Sequence, residues 1–311
     1  MEIDPRAKRF LDMLAIAGPP AGSRETIAER RDGYQALMRL SNMQVPPCGI
    51  EERVIPGPDG PVTVRIYTPA GTRRELLPGL VYFHGGGLVA GSLDDYQSLC
   101  AALANETGCR LVSVGYRLAP EHKFPAAVMD SYAAVQWIVE RANTLKIDRN
   151  RIAVGGDSAG GTLAAVVCQM AKEAKGPSLA LQLLLCPVLD SEPATASRRM
   201  LAEGHLLDRA TMQRDLAHYA SPGFDPTDAR VSPLRAANLS GLPAAHIHTA
   251  EFDPLRDEGK AYAERLAQAG VAVNYTCHQG MIHHFYAMAS IIPYARHALK
   301  LIGTDIRSAL A

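Results

Sequence analysis

Gly156-Asp157-Ser158-Ala159-Gly160 sets a serine between two glycines, and a serine so placed can act as a nucleophile. The residues before it, Arg151-Ile152-Ala153-Val154-Gly155, are short, apolar and partly β-branched, as a buried strand requires. The residues after it, 161–170, have the length and composition of a buried helix. A strand turning sharply into a helix holds such a serine in a strained backbone conformation, with its hydroxyl at the top of a sheet. Only residues without a large side chain fit two places before and after it. The helix N-terminus aims unpaired N–H groups and a positive dipole end at the same spot. A bare G-x-S-x-G arises by chance in many chains, so the flanking strand and helix carry the weight here.

A serine hydroxyl is a weak nucleophile and needs a base, a carboxylate to orient that base, and donors for a developing oxyanion. The chain supplies candidates in the order Ser, Asp, His that this strand–serine–helix arrangement takes. For donors, His84-Gly85-Gly86-Gly87 follows an apolar run at 80–83. A glycine run is often only a flexible loop. Directly after a central strand and upstream of the serine, its N–H groups and that of Ala159 read as an oxyanion hole, each donor worth about 3 kcal/mol. For the carboxylate, Asp253 follows the run at 244–249 and is favoured over Asp190, which follows the preceding strand; Asp257 or Glu258 reads as a helix cap. For the base, His278, His283 and His284 all fall at or after the last apolar run. His283 is favoured because Phe285 behind it can anchor the final helix, with His284 next; His278 reads as a polar strand-end residue.

These groups must be held by a sheet. Residues 52–56 and 62–68 alternate apolar and polar, as half-exposed edge strands do. The runs at 80–83, 111–114, 151–155, 181–186, 244–249 and 271–277 are more continuously apolar, as strands covered on both faces are. Helix candidates at 96–107, 129–143, 161–175 and 258–269 alternate with them, so an α/β chain with one eight-stranded, doubly wound sheet is expected. Two segments break the rhythm. Residues 1–45 hold two amphipathic helices, the first capped by Asp4, opened by Pro5 and stopped at Gly18-Pro19-Pro20. Residues 191–235 insert another helical stretch containing Leu206, Leu207, Met212, Leu216 and Tyr219. Both read as parts of a helical cap over the sheet's C-terminal edge, leaving 46–190 and 236–311 as the sheet domain.

Composition narrows the partners. The 311 residues carry 32 Lys+Arg and 32 Asp+Glu, a formal net charge of zero with no long basic run, which argues against nucleic acid and anionic membranes. The N-terminal apolar stretch around 13–17 is too short to span a bilayer and has no convincing cleavage site behind it, so no stable membrane association and a cytoplasmic location are expected. The six cysteines show no C-x-x-C pair and fall largely in apolar runs, as buried free thiols do. Adjacent His283-His284 has the wrong spacing for two ligands on one helix face, so no metal and no cofactor are expected. The last strand, 271–277, offers an edge through which a homodimer could pair.

Taken together, His84-Gly85-Gly86-Gly87, Tyr116-Arg117-Leu118-Ala119-Pro120-Glu121, Gly156-Asp157-Ser158-Ala159-Gly160-Gly161, Asp253-Pro254-Leu255-Arg256-Asp257-Glu258-Gly259 and Gly280-Met281-Ile282-His283 resemble the bacterial hormone-sensitive-lipase family of carboxylesterases, in its branch with the GDSAG elbow. The resemblance spans about residues 50–290. It implies an α/β-hydrolase fold with a helical cap, a triad of Ser158, Asp253 and His283, and oxyanion donors from Gly85, Gly86 or Gly87 plus Ala159. Two positions depart from the family pattern. His284 stands where a glycine usually follows the histidine, and Leu88 stands where an aromatic often follows the glycine run; with Leu206 and Leu207 they are the expected substrate-pocket residues. The expected activity is hydrolysis of a small-molecule ester with a short to medium acyl chain, through an acyl-enzyme. Amide hydrolysis or deacetylation on the same residues is the first alternative. A non-catalytic small-molecule binder of the same fold is disfavoured by the presence of His283.

Overall fold

Residues 2–17, 25–40, 43–72, 76–192 and 194–311 are described by the structure, a computed structural model. Two helices, α1 (Pro5–Ala17) and α2 (Ile27–Leu40), precede β1 (Gly49–Gly57) and β2 (Gly60–Thr68). Strands and helices then alternate as β3 (Leu77–Phe83), α3 (Gln97–Thr107), β4 (Arg110–Gly115), α4 (Ala126–Glu140), β5 (Ile147–Asp157), α5 (Ala159–Glu173) and β6 (Leu181–Leu185). The helices α6 (Ala196–Met200) and α7 (Arg209–Tyr219) interrupt the succession before β7 (Ala244–Phe252), α8 (Arg256–Gln268), β8 (Val273–Ile282) and α9 (Tyr294–Ala309).

The strands form one sheet in the order β1-β2-β4-β3-β5-β6-β7-β8. Only the β1–β2 and β2–β4 pairs are antiparallel; the remaining pairs are parallel. Side chains of a strand alternate between faces, and β3 divides its apolar run accordingly. Val81 and Phe83 pack into a core shared with α4, α5 and α8, whereas Leu80 and Tyr82 join a second core with α3 and α9. This two-sided cover explains why the central strands read as unbroken apolar runs rather than alternating ones. The fold is the α/β-hydrolase fold, an eight-stranded, mostly parallel sheet flanked by helices.

Parallel winding brings the C-terminal ends of β3, β5, β7 and β8 to one edge of the sheet, so His84, Ser158, Asp253 and His283 leave their strands there. At the N-terminus, Asp4 caps α1 as its sequence suggests, its Oδ1 accepting from the N–H groups of Arg6 (2.8 Å) and Ala7 (3.2 Å). The expected stop at Gly18-Pro19-Pro20 lies outside the described residues. β8 is an edge strand, extending to Ile282 rather than ending at 277, and the Asp4 N–H donates to the Gly280 carbonyl at 2.9 Å. Among the described residues no helix is long and apolar enough to cross a membrane. Cys100, Cys109, Cys168 and Cys186 are buried free thiols, and Cys48 and Cys277 are half-buried.

Candidate active site

Ser158 joins β5 directly to α5 with φ 52° and ψ −120°, a conformation costly for any residue with a side chain by roughly 1–3 kcal/mol. Its surroundings enforce it. The Ser158 N–H donates to the Leu185 carbonyl (2.9 Å), and its own carbonyl accepts from Gly161 (3.0 Å) and Val188 (3.1 Å). A Cβ at Gly160 would drive into the Phe83 carbonyl, so the sharp turn against β3 admits only glycine there.

Ser158 Oγ lies 3.2 Å from His283 Nε2, and His283 Nδ1 lies 2.8 Å from Asp253 Oδ2. A carboxylate only accepts, so Nδ1 carries the proton and Nε2 is left to accept from the serine hydroxyl. Asp253 is fully buried and its other oxygen accepts from the Leu255 N–H at 2.8 Å, which fixes the carboxylate in place. The rival residues point elsewhere. Asp190 pairs with Arg235 Nε at 2.9 Å. His278 hydrogen-bonds His248 (3.1 Å) and Tyr294 (3.1 Å). His284 Nδ1 sits 3.3 Å from Asp157 Oδ2, with Nε2 3.2 Å from Met38 Sδ.

The glycine loop after β3 divides. Gly85 departs from the expected donor set because its N–H is already taken by Tyr96 Oη (2.9 Å) and Asp157 Oδ1 (3.1 Å). Among the described residues, no hydrogen bond occupies the N–H groups of Gly86, Gly87 or Ala159. Gly87 has φ 67°, and a Cβ there would run into the Asp215 carboxylate. Spacing shows that a glycine run follows the strand; it does not show which N–H groups the fold consumes.

Asp157, fully buried beside the serine, is the residue that sequence reasoning passed over. It accepts from the hydroxyls of Tyr82 (2.8 Å) and Tyr96 (2.7 Å), besides Gly85, and Tyr96 Oη in turn meets Tyr34 Oη at 2.6 Å. Burial works against its charge, but His284, Tyr96 and Tyr82 together hold its carboxyl below the usual range. The available signal was an acidic residue inside a run with every mark of a buried strand end, where an unpartnered charge is prohibitive.

Above these groups lies a cavity of about 1060 Å³. Ser158, His283, Gly86 and Gly87 reach it from the sheet edge, and the expected pocket residues Leu88, Leu206, Leu207 and His284 all line it. Leu11, Leu14 and Leu37 of α1 and α2 form one wall, and Met212, Leu216 and Tyr219 of α7 form another. Arg30 of α2 grips both oxygens of Asp215 of α7 (Nε 3.2 Å, Nη2 2.9 Å), and Arg214 meets Glu25 at 3.1 Å. Such an arrangement can hold an uncharged molecule against the serine while two or three N–H groups face its polar oxygen.

Residues 80–287, more than half of the chain, match a family model described as alpha/beta hydrolase fold. The chain is 40% identical over 309 residues to carboxylesterase NlhH of Mycobacterium tuberculosis, covering 96% of this chain and 93% of that relative. It belongs to the bacterial hormone-sensitive-lipase family of esterases. This esterase is also 36% identical over 311 residues to an ethyl acetate hydrolase of Pseudomonas putida, with 97% of this chain and 98% of the relative covered. A hyperthermophilic esterase from Pyrobaculum calidifontis superposes with a TM-score of 0.93 at 36% identity, over 100% of both chains. The protein is thus a carboxylic ester hydrolase.

One cluster in the esterase has the spacing of a metal centre, among the described residues: Cys186, Asp253 and His283 offer ligand atoms within 4.8 Å of one another. The donors suit a metal poorly. Asp253 and His283 are bonded to each other, and burial pushes the Cys186 thiol well above its ordinary range, whereas a metal binds the thiolate.

Proposed function

We propose that this esterase is a serine carboxylesterase that cleaves short to medium acyl esters through an acyl-enzyme. The line Ser158 Oγ, His283 Nε2, His283 Nδ1, Asp253 Oδ2, with steps of 3.2 and 2.8 Å, carries the reading. His283 takes the hydroxyl proton as Ser158 attacks the ester carbonyl, and Asp253 holds the imidazole's tautomer and offsets its positive charge. Gly86, Gly87 and Ala159 donate to the tetrahedral oxygen. His283 then passes its proton to the departing alcohol, and water repeats the sequence on the acyl-enzyme to release the acid.

Residues 1–45 and 191–235 act in this reading as the two parts of a cap over the site, since α1, α2 and α7 wall the cavity. The lining of leucines favours an alkyl acyl group of modest length, and the likeness to an ethyl acetate hydrolase favours the short end. Six cysteines without a disulfide suit a reducing compartment, and on that ground we assign the enzyme to the cytoplasm.

The test is an acyl-length series of nitrophenyl esters on the native enzyme and on Ser158→Ala, with a serine-directed organophosphate followed by mass spectrometry. We expect a maximum at short to medium chains, one covalent adduct on Ser158, and no turnover by a folded Ser158→Ala. Persisting hydrolysis in that variant would remove the mechanism, and comparable turnover of a matched nitroanilide would point to amide substrates instead.

A further inference from the structure

His284 is buried, 3% exposed, and adopts the left-handed conformation (φ 61°, ψ 13°), which a histidine takes at a cost and glycine would take freely. It follows His283, yet its imidazole turns away from the serine toward Asp157. Asp157 in turn accepts the Gly85 N–H, and Gly85 immediately precedes the two glycines that line the cavity. The imidazole is held by rings around it: Tyr34 at 6.4 Å, Tyr96 at 6.0 Å and Tyr286 at 5.3 Å between centroids. The Met38 sulfur of α2 closes its far side. Asp157 is thus surrounded by two tyrosine hydroxyls, one backbone N–H and one imidazole, and it abuts both the serine and the glycine loop.

We propose that His284 is a positioning residue for the oxyanion hole, acting through Asp157 on Gly85 and so on the N–H groups of Gly86 and Gly87. It forms a second imidazole–carboxylate pair beside the first, and the hydroxyl of Ser158 is hydrogen-bonded to His283 and not to this pair. In a buried site the Asp157 charge needs a counterpart, and His284 Nδ1 at 3.3 Å supplies a polar partner to Oδ2, the oxygen that also accepts from Tyr96. Without it, the carboxylate would re-seat among its remaining donors and draw Gly85 with it. The donors would then be misplaced only for the tetrahedral oxygen, so the effect belongs to the transition state and not to substrate binding. This inference rests on the oxyanion role proposed above for Gly86 and Gly87.

Two substitutions separate the imidazole from the backbone. His284→Gly suits the left-handed conformation and removes the ring. His284→Asn also tolerates that conformation, and its amide nitrogen falls near the place of Nδ1. With nitrophenyl butyrate we expect kcat of His284→Gly to fall about tenfold, less than the ~100-fold cost of deleting an oxyanion donor outright. KM should stay within about twofold, and His284→Asn should recover most of the loss. Should His284→Gly fail to fold, Asp157→Asn carries the test, with the same fall in kcat at unchanged KM. A native kcat in the folded variant, a change confined to KM, or an equal loss in Gly and Asn would overturn the proposal. If Ser158→Ala is inactive while His284→Gly matches the native enzyme, this inference fails alone; if Ser158→Ala still turns over, the mechanism beneath it fails.

Discussion

Arg30 and Asp215 join α2 to α7 across the cavity, and the pair offers a quantitative test of what fastens those helices together. Arg30→Met retains much of the side chain's volume and removes the guanidinium that holds both oxygens of Asp215. Asp215 is 8% exposed on its side chain, and burial already pushes its carboxyl above the usual range with Arg30 present. Two limits bound the cost. A buried charge left without its partner costs roughly 3–5 kcal/mol. The carboxyl can instead take a proton, which at pH 7.5 costs about 5 kcal/mol for an acid of unfolded pKa ~3.9, but only about 1.5 kcal/mol at pH 5. The folded-state pKa of Asp215 rises further in the variant, so its deficit is greatest at high pH and shrinks as pH falls. Urea unfolding should show a loss of about 3–5 kcal/mol at pH 7.5 and no more than about 2 kcal/mol at pH 5. Arg30→Met/Asp215→Leu should regain most of it, since no lone charge remains. A loss under about 1 kcal/mol at pH 7.5, or the same loss at both pH values, would refute the reasoning.

The strain at Ser158 should make Ser158→Gly more stable than Ser158→Ala by about 1 kcal/mol, with both inactive under the proposed mechanism; equal melting temperatures would mean that the turn stores nothing. Burial lowers His248 to about 3 and His278 to about 4. Above pH ~6.5 both are neutral in either state, and as pH falls toward 4 the unfolded chain binds protons that the fold refuses. Stability should therefore drop by up to about 1.4 kcal/mol per pH unit for each imidazole. Urea unfolding of His278→Asn over the same range should give a shallower slope, and an unchanged slope would exclude this pair as its source.

The strands were legible because both faces of the sheet are covered, which writes continuous apolar runs into β3, β5 and β6. Boundaries were less so. α5 begins at Ala159, not at Gly161, because close packing of Gly160 on Phe83 and of Gly161 on Pro187 overrides their poor helix propensity. β8 runs on through Gln279 and Gly280, which break its apolar pattern and lie where the register with β7 shifts, and pairing resumes at Ile282 with Phe252. At the candidate site, the convergence of Ser158, Asp253 and His283 could be anticipated because each sits at a strand end in a distinctive local motif. The Asp157 hub could not, since Tyr34, Tyr82 and Tyr96 are ordinary core residues in their own elements and meet only in three dimensions. The same holds for Arg30 and Asp215, which no local pattern connects.

The cavity's walls and its floor come from different parts of the chain, and this division has an evolutionary consequence. Residues such as Leu14 and Leu216 line the cavity, while the bonds that align Ser158, His283 and Asp253 are made among those three side chains. Drift at these positions can retailor which alcohols and acids the enzyme admits while the reacting groups keep their alignment. One hydrolytic engine can in this way be fitted to many diets.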